Sequence, residues 1–160
     1  IFSLIGILIY IWIRFQWNFA LGAIIALVHD VILTLGFFSV LQLEFNLATV
    51  AAVLTIAGYS INDTVVIYDR IRDTMRKYKQ ITFDKVINIS LNGTLSRTLT
   101  TSLTTLLALI ALYTFGGIVI SSFIIALIWG VLIGTYSSVY VASPILTYLK
   151  QDNRQIKDGN

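Results

Sequence analysis

Gly58-Tyr59-Ser60-Ile61-Asn62-Asp63-Thr64-Val65-Val66-Ile67-Tyr68-Asp69-Arg70-Ile71-Arg72 places one carboxylate, Asp63, inside a run that otherwise reads as bilayer-spanning. From Phe45 to Ile67 the chain is apolar enough to cross hydrocarbon. An ionised aspartate near the middle of such a helix costs at least ~2.5–3.5 kcal/mol on insertion scales. Partners or water must offset that cost. Thr55, Gly58, Tyr59, Asn62 and Asp63 recur three or four apart, so on a helix they form one stripe, expected to face protein or water and not lipid.

Composition agrees with that reading. Of 160 residues, 57% are hydrophobic and only 12% charged, with a mean hydropathy of +0.85, whereas in an average soluble domain roughly a quarter of residues are charged. The chain reads as an all-α integral membrane protein. Its net charge of +3 implies no nucleic-acid partner, because the basic residues sit between hydrophobic runs, where they set topology. Without cysteine there is no disulfide framework, thiol nucleophile or cysteine metal site, and a single histidine rules out a histidine cluster. The chain opens at Ile1 within a hydrophobic run, with no initiator Met and no charged flank, so a fragment is expected and not a signal peptide.

Five transmembrane helices are expected within a membrane domain spanning 1–149, over about 1–13, 19–41, 45–68, 95–115 and 118–149. The first is short for a crossing, and Trp12 and Trp17 bracket Arg14 as an interfacial belt would. Residues 69–94 carry most of the charge and are too polar to span. Within them Phe83, Val86, Ile87 and Ser90 recur at helical spacing, which predicts a short amphipathic helix on the membrane surface. The last span turns out of the fourth at Gly116-Gly117, is longer than a bilayer needs, and is expected to kink near Pro144. Arg14, the 69–94 loop and the 150–160 tail fall on one side, and the opposite loops carry no Lys or Arg. That asymmetry predicts a cytoplasmic basic side, an external start and a cytoplasmic C-terminal tail.

Arg97 enters the fourth span just past the basic boundary, with Thr101, Thr104, Thr105 and Ala108 on the same helical face. Two readings stand. Arg97 snorkels to the headgroups, or it climbs toward Asp63, which lies six residues before Asp69 and so about 9 Å deep at ~1.5 Å per residue. A carboxyl whose proton affinity changes with the approach of an arginine is what a proton-carrying site needs. Asn62, Thr101 and Thr104 would supply amides and hydroxyls around it. His29-Asp30, near the centre of the second span, is a further ionisable cluster, with Thr34 one turn on. The reading preferred for His29 is a neutral ring bonded to a neighbouring helix; for Asp30, an inter-helix hydrogen bond and a place in a proton relay both stand. In the last span Ala126, Gly130, Gly134, Ser138 and Ala142 recur every four residues, which predicts a helix-packing face. Tyr136, Tyr140 and Tyr148 then mark other faces and the interfacial end.

Val28-His29-Asp30-Val31, Gly58 through Arg72, and Asn92-Gly93-Thr94-Leu95-Ser96-Arg97-Thr98 together resemble the membrane part of the SecF family, across nearly the whole chain. The central string is long and specific. The resemblance implies an RND-superfamily arrangement in which a SecF half and a SecD half, six helices each, use the proton gradient to assist preprotein export. It implies that Asp63 and Arg97 take the proton-moving positions, and that SecD, the SecYEG translocon, YajC, YidC and preproteins are the partners. The coupling ion is the proton, and no other cofactor is implied. SecF-like proteins also carry a first transmembrane helix and an extracytoplasmic domain, which are not expected within the sequence given. Tyr68 stands where the family often has Phe, and Asp73 where Glu is common.

Three functional classes follow: a proton-conducting half of an export motor in the bacterial inner membrane, an RND-type exporter of small molecules or lipids, and a non-transporting scaffold in which Asp63 and Arg97 lock helices. An enzyme is not expected, since no nucleophile with a general base, metal cluster or phosphate loop is visible.

Overall fold

The computed structural model describes residues 6, 9–13, 17–43 and 46–149. Every regular element among them is a helix: α1 (Trp17–Val40), α2 (Leu47–Lys77), α3 (Phe83–Phe115), a 3₁₀ turn (Ile118–Ile120) and α4 (Ser121–Ser137). The path of α4 continues through a π-turn, Ser138–Ala142, and remains helical over 143–149. Residues 9–13 are helical as well and represent the first of the five expected helices. Residues 1–5 and 7–8 of the expected span 1–13, Arg14 and the 150–160 tail lie outside the described residues. Trp17–Val40, Leu47–Lys77, Phe83–Phe115 and Ile118–Leu149 are each long and apolar enough to cross a membrane.

The helices overrun the expected spans. α2 has 31 residues and α3 has 33, about 46 and 50 Å at ~1.5 Å per residue, against a hydrocarbon core of ~30 Å. The region 69–94 is therefore no loop with a surface helix: α2 and α3 run through it, and only residues 78–82 connect them. Charge does not break a helix whose end stands in headgroups or water, and Arg76 and Lys77 favour the C-terminal end of the α2 dipole. The apolar face Phe83, Val86, Ile87 is real, but it packs into the same core as Ile67, Tyr68 and Ile71 of α2 and does not lie on a membrane surface. Asn46 starts α2 with a capping box, its side chain accepting from the Thr49 N–H. Gly117, at φ 80°, takes the left-handed conformation that turns α3 into the next element.

α2 and α4 form the central pair, each packed against α1 and α3. They run parallel in one register. Thr64 bonds Ser138 and Tyr68 bonds Ala142, each partner 74 positions further along the chain. A Cβ on Gly130 would run into Ile56, and one on Gly134 would lie 3.1 Å from Ser60 Cβ, in the same register. Ala52 and Ala126 continue it in a shared apolar cluster. The small-residue face read on α4 thus meets a matching face on α2, Ala52, Ile56, Ser60, Thr64 and Tyr68, with ridges of four-residue period against each other.

Pro144 produces no sharp break. It has no N–H for the carbonyl four residues back, and its ring would clash there; the turn just before it opens into the π-turn instead. Two side chains take up carbonyls in this stretch: Ser143 Oγ donates to Ser138 O at 3.1 Å and Tyr68 Oη to Ala142 O at 3.0 Å.

Candidate functional site

Between the two apolar clusters lies a polar layer. Asp30 on α1 is fully buried. Its Oδ2 accepts from Ser60 Oγ of α2 and, at 2.7 Å, from Ser137 Oγ of α4, while His29 Nδ1 lies 3.0 Å from Oδ1. One carboxylate thereby ties three helices. The His29 ring therefore meets Asp30 of its own helix and not, as expected, a neighbouring helix, and its side chain is 32% exposed. Thr34 donates to the Asp30 main-chain oxygen at 2.7 Å, so it does not share the carboxylate. The layer continues from Ser60 through Ser138, which donates to Ser60 O, to Thr64. Gly130 and Gly134 lie where closeness to α2 requires them, and Ser138 both packs and hydrogen-bonds.

Asp63 is 3% exposed. Its Oδ2 is buried and has no hydrogen-bond partner among the described residues. The pairs Thr74–Ser90 and Tyr59–Thr105 set α2 and α3 antiparallel, in a register that puts Asp63 level with Thr101. Arg97 stands one turn nearer the basic end, about 6 Å along the axis. It is close enough to act on Asp63 electrostatically, but the two form no ion pair within 4.0 Å among the described residues. Arg97 is exposed, at the wall of an open cleft of about 370 Å³ that it shares with Val66, Asp69, Arg70, Asp73, Gly93 and Thr94. Arg70 lies across Gly93, where a Cβ would stand 3.4 Å from its guanidinium. The cleft opens on the basic side and ends one turn from Asp63.

The other expected supporting groups separate. Asn62 is exposed and lines a different cavity, of about 470 Å³, with Tyr10, Leu54, Gly58 and Val65. The stripe Thr55, Gly58, Tyr59, Asn62, Asp63 is therefore two faces: Tyr59 and Asp63 turn to α3, and Gly58 and Asn62 away from it. Thr101 and Thr104 hydrogen-bond within α3, to Arg97 O and to Thr100 and Thr101 O. The residues that sequence reading passed over are Ser60, Thr64, Ser137 and Thr98. The signal for the first two was the four-residue spacing from Ala52 to Tyr68, which mirrors the one noticed on α4.

A family model for the C-terminal part of the protein export membrane proteins SecD and SecF matches residues 1–152. The chain belongs to the SecD/SecF family. It is 58% identical over 153 residues to the protein translocase subunit SecF of Rhodobacter capsulatus and 58% identical over 147 residues to that of Rickettsia rickettsii. These alignments cover 95% and 92% of the chain but 46% and 48% of the relatives, so it spans about half their length. Among solved structures it is similar to SecDF in its super-membrane-facing form, with a TM-score of 0.86 and 44% identity over 96% of this chain and 21% of that one. It is equally similar to the translocon-associated membrane protein SecDF of Thermus thermophilus, with a TM-score of 0.87 and 46% identity over 91% and 20% of the two chains. The helical architecture is thus that of a SecD/SecF membrane domain. In this SecD/SecF chain the two buried carboxyls differ: Asp30 is met by three side chains, whereas Asp63 has one oxygen without a partner among the described residues.

Proposed function

We propose that the chain is the membrane domain of a SecF-type subunit that assists preprotein export across the bacterial inner membrane, with SecD as its partner half. It draws on the proton gradient through Asp63. The observation that carries this reading is a carboxylate buried in a membrane-spanning helix, one oxygen without a partner, beside an arginine at the wall of an open polar cleft. A purely structural carboxylate in hydrocarbon would be saturated, as Asp30 is. Membership of the SecD/SecF family and likeness to SecF subunits and SecDF support the translocase context. The SecYEG translocon, with YajC and YidC, is the assembly in which the subunit would act. The basic ends of α2 and α3 face the cytoplasm, the start lies outside and the C-terminus inside. No enzymatic chemistry and no cofactor other than the proton enter this reading.

The test is export driven by the proton gradient in the complete complex. Asp63→Asn abolishes it while SecD and SecF still co-purify; unchanged export would overturn the assignment. A charge-swapped Asp63→Arg, Arg97→Asp double variant distinguishes a scaffold, which it would restore, from a proton carrier, which it would not. The α3/α4 groove of about 520 Å³, lined by Leu95, Leu99, Leu103 and Leu132 among others, favours a second reading as an RND-type exporter of small molecules or lipids. Binding of such a cargo to the purified complex would be its signature.

A further inference from the structure

Among the described residues three buried side-chain polar atoms have no hydrogen-bond partner: Asp63 Oδ2, Thr98 Oγ1 and Trp129 Nε1. The first two point into one seam. On α2, Tyr59, Arg70 and Thr74 touch α3, and Ser60 and Thr64 touch α4. At ~100° per residue Asp63 falls within the first group, between Arg70 and Thr74, and so faces α3. On α3, Ser90 and Thr105 touch α2 and Ser102 touches α4, bonded to Thr135 at 2.6 Å. Thr98, 2% exposed, falls between them. Asp63 thus faces α3, and Thr98 lies beside that contact, toward the line where α2, α3 and α4 meet. The α2/α3 register places Thr98 three residues from the level of Asp63, about 4.5 Å along the axis. Thr98, Ser102 and Thr135 form a polar patch in the wall of the 520 Å³ groove between α3 and α4.

We propose that this seam binds one or two internal water molecules that bridge Asp63 Oδ2 and Thr98 Oγ1, and that Thr98 is a positioning residue for the Asp63 proton site. A buried water is held by two to four polar partners, and two otherwise orphaned oxygens less than one helical turn apart along the axis supply the first two. A hydroxyl suits the task because it both donates and accepts. With Asp63 ionised, the bridging water donates to Oδ2 and accepts from Thr98. With Asp63 protonated, the carboxyl donates to the water and the water donates to Thr98. The proton crosses from a water O–H to the carboxylate oxygen, and that water regains one from the next water toward the cleft. Arg97 on α3 is the charged group nearest to Asp63; Asp69 and Arg70 stand further out in the cleft, and His29 and Asp30 of α1 face Ser60 and Ser137. Among the described residues α4 carries no Asp, Glu, Lys, Arg or His. The proposal rests on the proton-carrying reading for its purpose, but the hydration site stands or falls independently.

The experiment is infrared difference spectroscopy on the intact complex in lipid, with the Asp63 carboxyl band identified by its loss in Asp63→Asn. In Thr98→Val the water O–H band that shifts in H₂¹⁸O is lost, and the midpoint of the Asp63 band rises by about one pH unit as the ionised form loses its bridged donors. Thr98→Ser restores both. Thr98→Ala gives the same readout should the valine variant fail to assemble. A water band and midpoint unchanged in Thr98→Val or Thr98→Ala, or not restored by serine, would overturn the proposal. Should these signals move as expected while Asp63→Asn exports normally, the hydration site stands and the proton-motor reading fails. If Asp63→Asn blocks export and the signals do not move, the reverse holds.

Discussion

Tyr68 on α2 donates its hydroxyl hydrogen to the main-chain oxygen of Ala142 on α4, 3.0 Å away. That oxygen belongs to the π-turn ahead of Pro144, so a side chain from the neighbouring helix caps the irregular turn. The arrangement depends on α1 as well. Phe19 meets the Tyr68 ring edge-on, with centroids 5.3 Å apart, and Gly22 leaves space for the hydroxyl, since a Cβ there would stand 2.6 Å from it.

Gly22→Ala is therefore expected to destabilise the bundle by about 1–3 kcal/mol through overpacking. Tyr68→Phe is expected to cost about 1–3 kcal/mol through a buried carbonyl left without its donor. Together they should cost less than the sum, because without the hydroxyl the nearest ring atom to the new methyl is an ordinary 3.6 Å away. Unfolding of the single and double variants in detergent measures the coupling. Strict additivity would show that Gly22 and Tyr68 do not meet in the membrane.

The α2/α4 register makes a graded forecast for two glycines that look equivalent in sequence. At Gly130 an added Cβ collides with three carbons of Ile56, whereas at Gly134 it lies 3.1 Å from Ser60 Cβ. Gly130→Ala should cost about 1–3 kcal/mol, and Ile56→Ala should relieve it. Gly134→Ala should be milder in packing yet disturb Ser60, and with it the hydrogen bond to Asp30. The same unfolding assay ranks the two, and an Ile56→Ala background that leaves the Gly130→Ala cost unchanged would contradict the register.

The hub at Asp30 carries the next expectation. Ser60 and Ser137 donate to the same oxygen, and an intramolecular hydrogen bond contributes about 0.5–1.5 kcal/mol. Ser60→Ala and Ser137→Ala should each lower stability within that range and combine non-additively, since either serine partly sustains the carboxylate alone. Asp30→Asn should weaken stability more than gradient-driven export, which would mark Asp30 as a clamp for α1, α2 and α4 and remove it from the relay. Export lost at unchanged stability would return it to the relay.

The helical class and the burial of a carboxylate in the central string were legible because hydrophobic runs and one misplaced carboxylate are one-dimensional signals. The packing face on α4 was legible too, because small residues every four positions leave few other readings. Its mate on α2 escaped because Ile56 and Tyr68 interrupt the run of small residues, and only the facing glycines show why bulk is allowed there. The extent of α2 and α3 was misjudged because polarity marks where the hydrocarbon ends, not where a helix ends. Asp30 and Asp63 could not be told apart from sequence at all: each is an aspartate within an apolar run, and the difference is two serines, one of them more than 100 positions away.

Asn62 and Asp63 supply the sharpest contrast, because adjacency in sequence suggested a shared site. Successive residues on a helix point ~100° apart, and here that angle takes Asn62 to an open cavity with Tyr10, Gly58 and Val65, while Asp63 turns into the bundle. A group that faces neither Arg97 nor Thr98 cannot tune the buried carboxyl by hydrogen bonding. Asn62→Leu should thus leave export driven by the proton gradient within about twofold of the parent complex, which corresponds to less than half a kcal/mol in activation. Asp63→Asn, which removes one charge and keeps the shape, should abolish it. Both are read in the same vesicle export assay with and without a gradient. Equal losses at the two positions would mean that the Asn62 cavity and the Asp63 seam act as one site, against the division of the α2 stripe into two faces.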